Sequence, residues 1–182
     1  MRRIAKWLLI GAIVWSLASW GLVPSGSGQV TLKSLITGAA TQLDLALQQA
    51  LVSSTAPTID NAEFGGHQVL NLLEGPRGPD YDPKYHVSGD DQLGLIDYAN
   101  QIKAGLQDPQ YAPRFNSTID NVIAYFNAAL DRTQRAVSLA DLGGVQKEMK
   151  EAIAFLSAAK GRADDVPALG GILILKAQIG QP

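Results

Sequence analysis

Apolar positions recur at steps of three and four residues along most of the chain after residue 30. This spacing places apolar side chains on one face of a helix and is typical of amphipathic helices that pack around a core. It predicts five helices, over residues 31–54, 58–74, 91–106, 114–141 and 145–160. No apolar/polar alternation is long enough to indicate a sheet. Because short connections favour antiparallel neighbours, we predict an all-α, up-and-down bundle of four to five helices.

The first 30 residues follow a different pattern. Arg2, Arg3 and Lys6 precede an uncharged, mostly apolar run over residues 7–23, and a Pro/Ser/Gly-rich linker follows. A basic flank, an apolar run and a small polar exit are typical of a signal peptide or an N-terminal anchor. The basic flank keeps the N-terminus in the cytoplasm and directs the rest of the chain across the membrane.

The length of the apolar run leaves cleavage and anchoring open. Its 17 residues lie between a signal core of about 7–15 residues and a spanning helix of about 20. Small residues at Ser16 and Ala18 favour cleavage, whereas Trp7 and Trp20, near the two ends, favour an interfacial anchor. An ordinary buried helix is the third alternative, and the lack of a polar stripe argues against it.

These patterns divide the chain into an anchor or signal segment with its linker, residues 1–30, and an extracytoplasmic helical domain, residues 31–182. We expect the membrane to be a partner through residues 7–23. The domain then faces the extracytoplasmic side on an anchor, or it is secreted or periplasmic if the segment is cleaved.

Composition and charge limit the chemistry of this domain. The chain has no cysteine and two histidines, which excludes disulfides, thiolate metal sites, cysteine nucleophiles and a multi-histidine metal site. Residues 1–30 hold three basic residues and no acidic one. The 15 basic and 17 acidic residues of the whole chain therefore become 12 and 17 beyond it, a formal charge of -5. We do not expect this mildly acidic domain to bind nucleic acid.

A line of polar residues follows one face of the second predicted helix: Asp60, Glu63, His67, Asn71 and Glu74 succeed one another at three- and four-residue steps. The line has three interpretations: a solvent-exposed face, a buried and hydrogen-bonded structural histidine, or a functional site. In a functional site, His67 and a carboxylate would bind a metal or act as an acid–base pair. We take Glu63, His67, Asn71 and Glu74 as candidate contacts for a ligand or partner.

Glycines mark the middle and the end of the same helix. Gly65 and Gly66 each cost about 1 kcal/mol relative to alanine, so they predict a kink or the close approach of a ligand or another backbone. Gly75 and Pro76 end the helix. A long loop follows over residues 75–90, and loops of this length in compact domains are often functional.

The loop region carries four aspartates, Asp80, Asp82, Asp90 and Asp91, whose hard oxygen ligands suit calcium. Asp80 to Asp91 spans the twelve residues of an EF-hand loop. However, Tyr85 stands where that loop requires glycine, and the last position is aspartate rather than glutamate. A calcium site of another kind and a plain capped loop both stay open.

No recognisable catalytic motif accompanies these residues. The sequence contains neither G-x-S-x-G nor a phosphate-binding glycine loop. His67 and Met149 are the one plausible axial pair for a haem, but methionine on an apolar helical stripe is far more often core filling. We therefore expect no cofactor, and a calcium ion stays the open alternative.

The segment AEFGGHQVLNLLEG at residues 62–75, with Tyr81-Asp82 and GDDQLG at residues 89–94, resembles a segment of uncharacterised exported helical proteins of bacteria. In those proteins a histidine-bearing helix ends in Asn-x-x-Glu-Gly and an Asp/Gly-rich loop follows. The resemblance spans residues 60–94, about a fifth of the chain. This sequence has one histidine where the pattern often has two, and its loop is glycine-poor. The resemblance implies that His67, Asn71, Glu74 and the acidic loop form one unit, and it assigns no activity.

The sequence thus predicts an exported or membrane-tethered helical bundle that binds a protein partner in the cell envelope through residues 58–94 and is not an enzyme. The alternative is a protein that binds calcium or another oxygen-ligated ion. An enzyme that uses His67 as a general base comes third.

Overall fold

The structure is a computed structural model that describes residues 31–167 and 169–179. The predicted anchor or signal segment, residues 1–30, lies outside these residues. All regular secondary structure in the described part is helical, which confirms the all-α prediction. It comprises α1 (Leu32–Thr55), α2 (Ile59–Glu74), a 3-10 turn (Pro83–Tyr85), α3 (Leu95–Gly105), α4 (Ala112–Ser138), α5 (Leu142–Lys160) and α6 (Ile172–Ile179).

Four long helices enclose one core. Helix α1 packs against α2 and α5, and α4 packs against α5 and α2, so these pairs close a ring of four helices. The largest side chains inside it include Ile36, Leu43, Phe126, Met149 and Leu156, all fully buried. Helix α3 lies against α1 and α4, and α6 lies mainly against α1. None of the helices in the described ranges has the length and apolar character that a membrane crossing requires.

Gly65 and Gly66 allow α1 and α4 to approach α2 closely. A Cβ atom on Gly65 would lie 2.9 Å from Ser53 Cβ, and one on Gly66 would lie 2.7 Å from Val137 Cγ1. The Ser53 hydroxyl also donates a 2.5 Å hydrogen bond to the Ala62 carbonyl. The close approach of another backbone that the glycine pair predicts is therefore confirmed on the α1 side.

Two predicted helix starts are wrong. Helix α3 begins at Leu95, because Asp90 and Asp91 accept hydrogen bonds from backbone N–H groups two residues ahead and form turns instead. The fifth helix is predicted to begin at residue 145, but α5 begins at Leu142, so Gly143 and Gly144 lie inside its first turn. There Asp141 caps the helix by accepting a 2.6 Å hydrogen bond from Gly144 N.

The sequence pattern missed α6. Its run of Ile and Leu residues has no polar stripe, so it carries no helical periodicity to detect. Ile172, Ile174 and Leu175 are buried. The Thr118 hydroxyl on α4 donates to the Pro167 carbonyl, which ties the preceding segment to the bundle.

Candidate functional site

The polar line on α2 runs from solvent into the protein. Asp60 is exposed, Glu63 and His67 are half-buried, and Asn71 and Glu74 are only 1% and 8% exposed. The solvent-face interpretation therefore holds only at the start of α2. Further along, the line is covered by residues 75–94, which we call the covering loop.

Asn71 fixes the middle of the covering loop. Its Nδ2 donates to the Asp82 carbonyl at 2.7 Å, and its Oδ1 accepts from the Asp82 N–H at 3.0 Å. The side-chain amide thus pairs with both backbone groups of one residue, as a neighbouring strand would. Buried polar side chains are normally hydrogen-bonded. Here the same two bonds also pair the N–H and the carbonyl of Asp82, which lie in the loop and outside any helix.

Glu74 fixes the first part of the covering loop. Its Oε2 accepts a 2.9 Å hydrogen bond from Asp80 N, and the Asp80 carboxylate in turn accepts one of 2.7 Å from Gln134 on α4. Burial raises the pKa of Glu74; the Asp80 N–H opposes this change and the Asp80 charge adds to it. Glu74 also lines a cavity of about 340 Å³, together with Ile96 and Leu130 from α3 and α4.

The two ends of the covering loop meet. Gly75 has φ of 65°, and a Cβ atom on it would lie 2.5 Å from Gly94 N. Both the positive φ and the lack of room for a side chain favour glycine at this position. Further contacts hold the last part of the loop: Gln42 Nε2 on α1 donates to the Gly89 carbonyl at 3.1 Å, and Tyr98 on α3 donates to Asp91 at 2.5 Å. The loop is therefore held by α1, α2, α3 and α4.

An aromatic cluster lies where the covering loop crosses α2. The His67 ring stacks on Tyr85 at a centroid distance of 4.3 Å and an interplanar angle of 10°. Phe64, one turn earlier on α2, makes an edge-to-face contact with Tyr85 at a centroid distance of 5.4 Å and an interplanar angle of 69°. Lys84 Nζ lies 4.9 Å from the Tyr85 ring centroid. Phe64 is 46% exposed, so part of its ring is open to solvent.

The cluster borders a small cavity whose lining includes two acidic residues and one lysine. Asp60, Glu63, Phe64, Lys84 and Tyr85 line this cavity of about 280 Å³, which we call the aromatic notch. Behind it, burial lowers the pKa of His67, against the charges of Asp82 and Glu63, which act to raise it. The lowered pKa favours the neutral imidazole beside the notch.

Sequence reasoning did not single out Phe64, Lys84 or Tyr85 for the site. One signal was present: Phe64 stands three residues before His67, so both share a face of α2. No local pattern indicates that Tyr85 returns to that face, because Asn71 and Glu74 determine the path of the loop through tertiary hydrogen bonds.

The four aspartates proposed as calcium ligands are each engaged by protein donors. Asp80 accepts from Gln134, Asp82 from Lys84 N, Asp90 from Gln92 N, and Asp91 from Leu93 N and Tyr98. No three His, Asp or Glu side chains in the described ranges are grouped so that they could hold a metal ion. One Asp90 oxygen is buried without a hydrogen bond, 4.0 Å from His86 Nδ1. Calcium binding stays a prediction, with no preformed ligand cluster in its support.

His67 and Met149, the one plausible axial pair for a haem, lie in two different environments. Met149 is fully buried in the bundle core, whereas His67 is half-buried beneath Tyr85. Met149 therefore fills the core, as methionine on an apolar stripe usually does.

Comparison of the chain with protein-family models, with curated proteins and with solved structures gives no match. Any function must therefore be argued from the site itself.

Proposed function

We propose that this chain is an extracytoplasmic binding module, tethered or released, whose contact surface is the exposed side of α2 together with the covering loop. The observation that carries the proposal is the pairing of the buried Asn71 amide with both backbone groups of Asp82. That pairing holds a long surface loop in one conformation, so binding would require little further ordering.

Preorganisation matters because ordering a loop on binding lowers affinity. Each immobilised side chain costs about 0.5–1.5 kcal/mol, and a loop that is ordered in advance avoids part of this cost. The surface that the covering loop completes presents Phe64 and Tyr85. Tyrosine is one of the residue types, with tryptophan and arginine, that most often dominate the energy of protein interfaces.

The extracytoplasmic location rests on the pattern of residues 1–30, a basic cluster followed by an apolar run and a Pro/Ser/Gly linker. Membrane fractionation combined with determination of the mature N-terminus tests it. We expect the chain in the membrane fraction with its N-terminus intact, or in the exported soluble fraction without residues of the apolar run. An intact N-terminus in the cytoplasmic fraction would contradict the proposal.

Site-specific photocrosslinking in cells that express the full chain tests the contact surface. A phenylalanine analogue that carries a photoreactive benzoyl group, and so keeps an aromatic ring, replaces Phe64 in one variant and Lys150 in a matched control. Lys150 is exposed on α5 and outside the covering loop. We expect one discrete protein adduct at position 64 and none at position 150. The adduct should disappear when Asn71→Asp releases the loop. Equal adducts at both positions, or an adduct that survives Asn71→Asp, would overturn the proposal.

A further inference from the structure

We propose that the aromatic notch receives a lysine or arginine side chain from the protein partner. This inference rests on the proposed function, since it names the chemistry by which the partner is recognised. Three observations support it: the angle between the Phe64 and Tyr85 rings, the carboxylates of Asp60 and Glu63 beside them, and the ammonium group of Lys84 near Tyr85.

The notch has the shape of a corner. The Phe64 and Tyr85 rings stand at 69° with their centroids 5.4 Å apart, and both line the notch. An ammonium or guanidinium group within about 6 Å of a ring centroid is attracted by the ring quadrupole. Pockets lined by several aromatic rings are the sites in which proteins bind quaternary ammonium groups such as choline and methyl-lysine.

The charges at the notch favour a cation. Asp60 and Glu63 line it from successive turns of α2, and neither carboxylate forms an ion pair within the part of the chain that the structure describes. Burial lowers the pKa of His67, which favours its neutral form beside the notch. The exported part has a formal charge of -5, so its overall field also attracts basic segments.

Lys84 already places a cation beside one of the two rings, near the hydroxyl end of Tyr85. Its Nζ lies 4.9 Å from the Tyr85 centroid and 3.4 Å from the Tyr85 hydroxyl. Lys84 is exposed and lines the same cavity, so its long side chain is free to move away. It acts as an internal competitor that a basic side chain of the partner displaces. Removal of Lys84 should therefore strengthen binding of a cation, whereas removal of the acidic residues should weaken it.

Titration of the full chain, in detergent micelles if it carries its anchor, tests the chemistry directly. The probe is a blocked peptide of alternating glycine and lysine. Matched peptides carry norleucine, which keeps the alkyl stem without the ammonium group, or glutamate. We expect the lysine peptide alone to shift the NMR ring resonances of Phe64 and Tyr85, with an affinity that falls as salt rises.

Substitution of the acidic residues and of Lys84 should change the affinity for the lysine peptide in opposite directions. Asp60→Asn with Glu63→Gln should weaken binding of the lysine peptide about 3- to 10-fold, and Lys84→Gln should strengthen it about 2- to 5-fold, as expected for partly exposed charges. All three positions are on the surface or half-buried, and unchanged thermal unfolding confirms that these variants fold. Equal binding of the norleucine peptide, or no change in either variant, would overturn the inference. Tighter binding of phosphocholine than of the lysine peptide would also overturn it, because the occupant would then be a lipid headgroup.

The crosslinking experiment separates this inference from the proposed function. If the adduct at position 64 forms equally well in the Asp60→Asn, Glu63→Gln variant, the binding surface stands and the cation-binding notch fails. If no specific adduct forms in either protein, both fail.

Discussion

Replacement of Asn71 by aspartate changes one group in the contact that holds the covering loop. The introduced carboxylate has nearly the same shape as the amide and still accepts from Asp82 N. It loses the donor that reaches the Asp82 carbonyl at 2.7 Å, and it places a negative oxygen against that carbonyl. One hydrogen bond is lost, a net of about 0.5–1.5 kcal/mol, and an unpaired buried group adds about 1–3 kcal/mol. We expect a loss of about 2–4 kcal/mol at neutral pH.

The loss should depend on pH. Burial beside a carbonyl raises the folded-state pKa of the introduced aspartate above its ordinary value. The protonated form donates to the carbonyl and restores the bond, so stability is present at low pH and lost as pH rises through the folded-state pKa. The gap between variant and wild type should therefore be large at pH 7 and small near pH 3.

Thermal unfolding and hydrogen exchange measure this effect. A change of 1 kcal/mol moves the Tm of a domain of this size by about 2–4 °C, so a fall of roughly 4–16 °C is expected. The Asp82 amide should exchange faster. The matched control is Asn127→Asp, at an exposed position in the middle of α4. Equal Tm values for the two variants, with unchanged exchange at Asp82, would refute the role given to Asn71.

Three further predictions concern the same fold. Glu74→Gln keeps an acceptor for the loop and removes a buried charge, so it should stabilise the protein at pH 7. That gain should shrink as pH falls through the raised pKa of Glu74, as urea unfolding at several pH values can measure. Gly65→Ala should destabilise the protein by about 1–3 kcal/mol, because the added methyl group would clash with α1. The matched control Gly143→Ala should stabilise the protein by up to about 1 kcal/mol. A loss of stability in Gly143→Ala would contradict this reasoning. NMR titration should place the pKa of His67 below 6.5, and Tyr85→Leu should move it upwards; no movement would show that the stacked ring does not bury His67.

The sequence by itself determined the helical class and most helix positions. Apolar residues at helical spacing identify a buried face whatever packs on it, so α1, α2, α4 and α5 are predicted to within a few residues. The glycine pair at Gly65 and Gly66 likewise indicates close approach, since a bare backbone inside a helix is unfavourable unless something lies against it.

Only the tertiary structure decided the site. The even spacing of the polar line on α2 does not reveal that Asp60 faces solvent while Asn71 and Glu74 are covered, because burial depends on where the loop returns. The path of the loop depends on hydrogen bonds between residues that are well separated in sequence. Glu74 and Asp80 are 6 positions apart, and Asn71 and Asp82 are 11 positions apart. The aromatic notch forms because these bonds bring Tyr85 back over α2, and no local periodicity records a contact between a helix and a distant loop.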